Sequence, residues 1–294
     1  MTGILVINKP QGWTSHDVVN KARRILQEKQ IGHTGTLDPL ATGVLILCIG
    51  KATKIVRYLE ADDKEYIAEL KLGSTTDTQD ADGTVIETRE YSPPMFEQVQ
   101  DAMNSLQGSI RQRPPAYSAL KVNGIPSYRL ARKGTIQEHE ERPVTVHEIR
   151  LLEYADPVAR FSVRCSKGTY IRTLCADIGK RLGMGAHLVS LVRTRAGRFR
   201  LEQSLTLEQT AALAASGQVE QVLISPSDAV GGFPALTVDE SDARRISHGN
   251  AVSIPAGADL GGLNSPIRVL GRDERLLAVA RAVDGMLRPE AVLV

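Results

Sequence analysis

The sequence predicts an α+β fold built on a mixed, mostly antiparallel sheet, followed by a small β-rich C-terminal domain. Strand patterns at 64–73, 144–154 and 158–165 are separated by helical patterns and long loops, without regular βαβ alternation. The last 60 residues form short strand patterns interrupted by glycines. At 294 residues and 42% hydrophobic content, the chain has room for both domains, which we place at 1–232 and 233–294.

The N-terminal elements follow from hydrophobic periodicity. The first nine residues read as a strand, and Ser15 is predicted to cap a helix whose apolar residues recur on one face. The apolar run 44–49 indicates a buried strand. In the segment 64–73, Tyr66 and every second residue after it are apolar, which is typical of a half-buried strand.

The remaining elements are predicted in the same way. The polar segment 74–83, rich in threonine and aspartate, is predicted to be a loop, and 220–232 a connection. Helices are predicted over 95–106, 169–182 and 206–216, and a further strand over 186–194.

Composition excludes several classes of protein. No apolar run approaches the roughly 20 residues of a membrane span, and the N-terminus lacks the pattern of a signal peptide, so we expect a cytoplasmic protein. The three cysteines lack metal-ligand spacing and are expected to be reduced and buried, and the histidines are scattered. The sequence therefore predicts no metal site.

The positive charge is concentrated in the middle of the chain. Between Ser105 and Arg200 there are 18 lysines and arginines against seven acidic residues, although the net charge of the whole chain is only +2. Such a surplus indicates a polyanionic partner, with nucleic acid as the leading candidate. The segment 109–142 lacks clear periodicity and mixes basic residues with Tyr117 and Tyr128, which suits phosphate contact and base stacking. A flexible basic insertion without function is the alternative.

The segment Gly32–Gly43, GHTGTLDPLATG, places a single carboxylate, Asp38, on a glycine-rich loop before a buried strand. Pro39 keeps Asp38 out of helical conformation. Loops held by rigid elements often carry catalytic groups, so Asp38 is a candidate catalytic residue. The alternative is a tight turn in which Asp38 bonds its own backbone.

Five motifs together resemble the TruB family of pseudouridine synthases, which act on the T-loop of tRNA. Besides the Asp38 loop, they are the segments 8–15 (NKPQGWTS), 64–66 (KEY) with the Thr- and Asp-rich loop that follows, 165–172 (CSKGTYIR) and 185–191 (GAHLVSL). The resemblance covers roughly residues 3–200 in the family's order. From about Ala235 the chain is similar, more loosely, to the small β-barrel RNA-binding domain called PUA.

The resemblance implies a catalytic domain of the pseudouridine synthase type and an isomerase that converts uridine at position 55 of tRNA to pseudouridine after base flipping. The reaction is an isomerisation, so no cofactor is expected. The partner implied is the T stem-loop of tRNA, contacted by segment 109–142 as a basic clamp; a membrane or a protein partner is not required, and a monomer is expected.

The resemblance also implies the roles of seven residues. Asp38 acts on the ribose either as a nucleophile at C1′ or as a base at C2′, and the sequence leaves both routes open. Arg172 pairs with Asp38, and Tyr66 stacks on the uracil and is a candidate base, or base relay, for the C5 proton. The remaining four are expected to bind substrate: His33, Tyr170, Leu191 and Lys9.

On pattern alone, Tyr66 is more often a core residue than a catalytic one. Lys9 can simply end the first strand, and Tyr170 and Arg172 need not share a helical face. Two other functions compete. An RNA-binding or chaperone protein explains the basic middle but not the joint presence of the motifs. A phosphotransferase or phosphatase with an aspartyl nucleophile explains Asp38. However, Asp38 follows Gly-Thr-Leu and does not precede a Lys-Thr-Gly run.

Overall fold

The computed structural model describes residues 1–118, 120–122, 124–131, 134–135, 139–255, 257–258, 260 and 265–294. The strands are β1 (Gly3–Lys9), β2 (Ile31–Thr34), β3 (Thr42–Ile49), β4 (Lys64–Leu72), β5 (Ser74–Thr76), β6 (Val85–Thr88), β7 (Gly108–Gln112), β8 (Lys121–Val122), β9 (Ile125–Pro126), β10 (Arg142–Ala155), β11 (Val158–Cys165), β12 (Ala186–Ala196), β13 (Phe199–Arg200), β14 (Ala235–Thr237), β15 (Val252–Ser253), β16 (Ile267–Leu270), β17 (Leu276–Val283) and β18 (Met286–Val292). The α-helices are α1 (Ser15–Leu26), α2 (Val56–Glu60), α3 (Phe96–Asn104), α4 (Ser127–Ala131), α5 (Ile171–Arg181), α6 (Leu207–Ala215), α7 (Val219–Val222), α8 (Pro226–Ala229) and α9 (Glu240–Ser247).

The main sheet has the strand order β1-β3-β12-β4-β11-β10-β7, with β2 paired to β3 and β13 paired to β12. All of its pairings are antiparallel except that of β12 with β3. The α+β fold with a mixed, mostly antiparallel sheet is therefore confirmed. The one parallel pair sets Arg193 of β12 beside Gly43 of β3, at the end of the Asp38 loop.

Most predicted elements are present, with small corrections. Helix α1 begins at Ser15, but the capping residue is Thr14, whose hydroxyl accepts from Asp17 N at 3.1 Å. The predicted loop 74–83 begins with strand β5, which pairs with β6. The predicted connection 220–232 contains most of α7 and all of α8. Each of these strands and helices is three to four residues long, too short for hydrophobic periodicity to reveal.

The described part of the basic segment 109–142 contains more strand and helix than its sequence indicates. It opens in β7, which pairs with β10 at the edge of the main sheet, and Arg142 is the first residue of β10. Strand β7 contains one large apolar residue, Ile110, so its sequence shows little hydrophobic periodicity. Its pairing with β10 holds it in the sheet through backbone hydrogen bonds. A short hairpin, β8–β9, and helix α4 follow. Arg132 and Lys133 lie outside the described residues.

Helices α3 and α5 pack on one face of the main sheet, and their apolar residues share a core with Tyr66 and Leu191. This core fixes the start of α5 next to β4 and β12. On α1, Val18, Val19 and Ala22 pack in a separate core against β1 and β3. The Asp38 loop emerges where these layers meet, since Leu37 and Leu40 belong to the core of α3 and α5.

The C-terminal strands form a second sheet in the order β14-β16-β17-β18-β15, with its own apolar core around Ile246 of α9. This sheet packs against the N-terminal part of the chain, since Val279 belongs to the same apolar cluster as Ile46 of β3, and Glu290 pairs with Arg57 of α2 at 3.0 Å. The β-rich C-terminal region is therefore confirmed, whereas the boundary at 232/233 stays a prediction. No helix among the described residues has both the length and the apolar character needed to span a membrane.

Candidate active site

A cavity of about 590 Å³ opens between the Asp38 loop, strands β4 and β12, the start of α5, and the segment 112–120. Five of the seven predicted site residues line it: Asp38, Tyr66, Tyr170, Arg172 and Leu191. They come from four different parts of the chain. The cavity is within the range of small-molecule sites, which is roughly 300–1,000 Å³, and can hold one nucleoside.

The Asp38 loop is anchored on both sides of the carboxylate. Leu37 is buried, and its backbone N donates to Ser15 Oγ at 2.9 Å. After Asp38, the Ala41 backbone N donates to the Asp38 carbonyl at 3.1 Å, which closes a turn. The turn alternative is thus correct for the backbone, but the Asp38 side chain points to Arg172 and remains 35% exposed to the cavity.

Gly43, the last residue of this motif, is required by the strand that packs beside it. Its φ is +98°, and a Cβ atom there would lie 2.3 Å from the Arg193 carbonyl oxygen. Both the backbone conformation and the lack of space therefore exclude a side chain. This glycine lets β3 approach β12 and brings the Asp38 loop to the cavity.

Arg172 holds Asp38 through both carboxylate oxygens, as the resemblance implied. Its Nε lies 2.9 Å from Asp38 Oδ2, and Nη2 donates to Asp38 Oδ1 at 3.2 Å. The guanidinium also donates to the carbonyl oxygens of Thr78 at 2.9 Å and Tyr117 at 2.8 Å. With its side chain only 4% exposed, Arg172 is a fixed cation that orients the carboxylate.

A second carboxylate, Asp80, faces the same guanidinium and was missed by sequence reasoning. Asp80 Oδ2 lies 3.4 Å from Arg172 Nη1, and Thr78 Oγ1 donates to Asp80 Oδ1 at 2.5 Å. Burial raises the pKa of Asp80, while Thr78 and Arg172 oppose the rise. The only sequence signal for Asp80 was the high aspartate and threonine content of the segment 74–83. This composition did not indicate which of its aspartates faces Arg172.

Tyr66 projects from β4 into the cavity and is 8% exposed. Burial raises the pKa of its phenol, and the positive charge of the nearby Arg193 guanidinium opposes this rise. Arg193 lies opposite Tyr66 in the register of β12 and β4 and also lines the cavity. Sequence reasoning missed Arg193 because it predicted only a strand over 186–194 and assigned no role to the arginine within it.

Tyr170 and Leu191 occupy other walls of the cavity. Tyr170 caps helix α5, and its backbone is clamped by Gln112, whose amide oxygen accepts from Tyr170 N at 2.7 Å. Burial raises the pKa of the Tyr170 phenol. Leu191 lies opposite Ala68 in the sheet register. Tyr170 and Arg172 therefore border one cavity, because the chain turns from extended backbone into the helix between them.

Lys9 and His33 are not among the residues that line this cavity. Lys9 is fully buried and donates to the carbonyl oxygens of Trp13 at 2.6 Å and Pro39 at 3.3 Å, so it ties the N-terminal motif to the Asp38 loop. Burial lowers its pKa to about 8, against the opposing effect of Asp38. His33 is half-buried on β2, and burial lowers its pKa.

The basic segment borders the cavity directly. Gln112, Pro114, Ser118 and Leu120 line it, together with Arg142. Among the residues that the structure describes, no group of three or more His, Cys, Asp or Glu side chains is arranged to hold a metal ion.

Comparison with known proteins gives the family. The N-terminal domain of the TruB family pseudouridylate synthases matches residues 23–171, and the C-terminal domain of tRNA pseudouridylate synthase B matches residues 172–230. The chain belongs to the TruB family. Within this TruB family chain, the border of the two matches lies in α5, so Asp38 comes from the first match and Arg172 from the second.

Full-length relatives of this TruB family chain include the tRNA pseudouridine synthase B of Bacillus cereus, 42% identical over 308 residues, 100% of this chain and 98% of the relative. The tRNA pseudouridine synthase B of Geobacter sulfurreducens is also 42% identical, over 97% of this chain and 95% of the relative. Among solved structures, an H/ACA RNP bound to a substrate RNA containing 2′-deoxyuridine contains a chain with a TM-score of 0.77 and 25% identity, covering 99% of this chain and 85% of that one. The pseudouridine synthase fold predicted from the sequence is thereby confirmed.

Proposed function

We propose that this chain converts uridine at position 55, in the T-loop of tRNA, to pseudouridine. The observation that carries the proposal is the Asp38 carboxylate, held through both oxygens by the buried Arg172 at the wall of a nucleoside-sized cavity. The family membership and the names of the full-length relatives agree with this reaction and substrate.

The reaction breaks the N1–C1′ bond of the uridine, turns the uracil, joins C5 to C1′ and removes the C5 proton. Asp38 serves it by attacking C1′ or by removing the C2′ proton, and the geometry is compatible with both routes. Arg172 keeps the carboxylate oriented, because its guanidinium contacts both carboxylate oxygens. Asp80 in turn holds Arg172 from the other side.

The other cavity residues position the uracil. Tyr66 stacks on the base and is the candidate acceptor of the C5 proton, while Tyr170 and Leu191 form walls against it. Lys9 stabilises the Asp38 loop, because its amino group donates to the backbone carbonyls of Trp13 and Pro39. No step of this scheme calls for a cofactor.

A uridine in a folded RNA loop must leave the base stack to reach this cavity. His33 lies on the strand that leads into the Asp38 loop, and we assign it the space that the flipped base vacates. His33→Ala is expected to slow turnover of folded tRNA about tenfold more than turnover of a short unstructured uridine oligomer, since only the folded substrate must be unstacked. Single-turnover rates on both substrates measure the difference, with His248→Ala as the control. Equal losses on the two substrates would contradict the assignment.

We assign RNA binding to the basic segment 109–142, which is tied to the site by the hydrogen bond from Arg172 to the Tyr117 carbonyl. Binding of the T stem-loop should weaken with salt, with about −0.7 to −0.9 in the log–log slope for each neutralised phosphate. Replacing Lys121 and Arg129 by glutamine is expected to make the slope less negative by about one to two. The exposed Lys51, changed to glutamine, is the control, and an unchanged slope in the double variant would remove the segment from the RNA interface.

The proposed partner is the T stem-loop alone, bound by a monomer of domains 1–232 and 233–294, with the C-terminal domain as a PUA-like RNA contact and no protein partner. We place this activity in the cytoplasm, where tRNA is modified.

The deciding experiment mixes the chain with T stem-loop RNA tritiated at uridine C5, without added metal or nucleotide. Tritium release supports the synthase. Tight binding without any release would instead favour a non-catalytic RNA-binding protein.

A further inference from the structure

Arg193 is among the largest fully buried side chains, with 1% exposure. A guanidinium remains charged at every accessible pH, and a buried charge is costly unless it is paired. No carboxylate in the described part of the chain forms an ion pair with Arg193 within 4.0 Å. The chain therefore keeps an uncompensated cation at the wall of the cavity, and this calls for a functional reason.

The partners of Arg193 are all parts of the proposed catalytic machinery. Its Nε donates to the Val44 carbonyl at 2.7 Å, and Nη2 donates to the Gly35 carbonyl at 3.0 Å. Gly35 directly follows β2 and Val44 lies near the start of β3, so one side chain contacts the backbone on both sides of Asp38. Arg193 also lies directly opposite Tyr66 in the register of β12 and β4, and both residues line the cavity.

We propose that Arg193 is a positioning residue that fixes the Tyr66 hydroxyl against the Asp38 loop and stabilises negative charge on the Tyr66 oxygen. The inference rests on the proposed function, in which Tyr66 accepts the C5 proton. In that step the Tyr66 phenolate takes the proton from C5 and becomes a phenol. The C5–H electron pair forms the C5–C6 double bond, and the C6–N1 double-bond pair moves to N1, which binds a proton from solvent.

The charges around Tyr66 set the expected direction of the effect. The charged and titratable groups near the Tyr66 phenol are Arg193 on β12, Cys165 on β11 and Asp38 on its loop, and the phenol is buried. Burial, Cys165 and Asp38 raise the pKa of Tyr66, whereas Arg193 lowers it. Removing the Arg193 charge must therefore move deprotonation of Tyr66 to higher pH, and proton removal from C5 must follow it.

The test compares Arg193→Gln and Arg193→Lys with the control Arg195→Gln, two residues along the same strand, where Arg195 pairs with Glu65 at 3.1 Å. Two quantities are followed from neutral to alkaline pH. One is the single-turnover rate of tritium release, and the other is the titration of Tyr66 by NMR of tyrosine labelled with ¹³C at the ζ carbon. The Tyr66 signal is assigned with Tyr66→Phe.

Arg193→Gln is expected to slow release about 10²-fold, with T stem-loop affinity within about twofold of the native chain, and to raise the Tyr66 titration midpoint by about one pH unit. Arg193→Lys keeps the charge but cannot donate to both the Val44 and the Gly35 carbonyls, so the midpoint stays near the native value and release slows about tenfold. Arg195→Gln should change neither quantity.

An unchanged Tyr66 titration midpoint in Arg193→Gln would overturn the proposal. An equally large loss of the tritium-release rate in Arg195→Gln would overturn it too. If the glutamine variant does not fold, Arg193→Lys decides, because an unchanged release rate there contradicts a positioning role. Absence of tritium release by the native chain would refute the proposed function instead. The NMR titration still reports on the link between Arg193 and Tyr66 in that case, so the two failures are distinguishable.

Discussion

Asp38→Asn is expected to reduce tritium release from T stem-loop RNA by about 10⁴-fold or more, with RNA affinity nearly unchanged. The amide is almost the same size as the carboxylate, but it can neither attack C1′ nor accept a proton from C2′. The scaffold should survive, because Arg172 retains Asp80 and two backbone carbonyls. Single-turnover release and a binding titration measure the two effects separately.

Asp156→Asn is the matched control, since Asp156 also precedes a proline but is exposed and bonds Tyr91 and Tyr154 away from the cavity. This variant should release tritium at the native rate. Release by Asp38→Asn within about tenfold of the native rate would show that another group carries the chemistry.

Arg172→Lys is the second change with a large expected effect. The ammonium cannot contact both oxygens of Asp38 and still reach Asp80 and the carbonyls of Thr78 and Tyr117, because it is a point charge without the planar fork of a guanidinium. We expect release to slow about 10²-fold, comparable to the loss of one donor at a catalytic oxyanion. We also expect the free energy of unfolding to fall by about 3 kcal/mol, as when a buried ion pair is disrupted.

Denaturant unfolding and single-turnover release test the two parts of this prediction. The control is Arg164→Lys, whose side chain is 40% exposed and lies 3.9 Å from Asp63, where an ammonium serves as well as a guanidinium. Equal stability of Arg172→Lys and the native chain would mean that the contacts of Arg172 with its four partner residues do not contribute to the free energy of unfolding.

Local sequence accounts for the elements whose residues interact with near neighbours. Strand β4 was predicted correctly because Ala68, Leu70 and Leu72 alternate with the charged residues Glu69 and Lys71 in a two-residue period. The same argument failed for β5 and β7, whose short, polar sequences are held by backbone pairing with β6 and β10. Edge strands of this kind carry little side-chain periodicity.

The sequence by itself determined the Asp38 loop, the strand of Tyr66 and, through the order of five motifs, the family of the protein. Only the tertiary structure decided that Arg172 contacts Asp80 as well as Asp38, and that Arg193 lies opposite Tyr66. Arg172 and Asp38 are 134 residues apart, and Arg193 and Val44 are 149 apart. Such contacts depend on strand order and sheet register, which arise from the packing of the whole chain and leave no local pattern in the sequence.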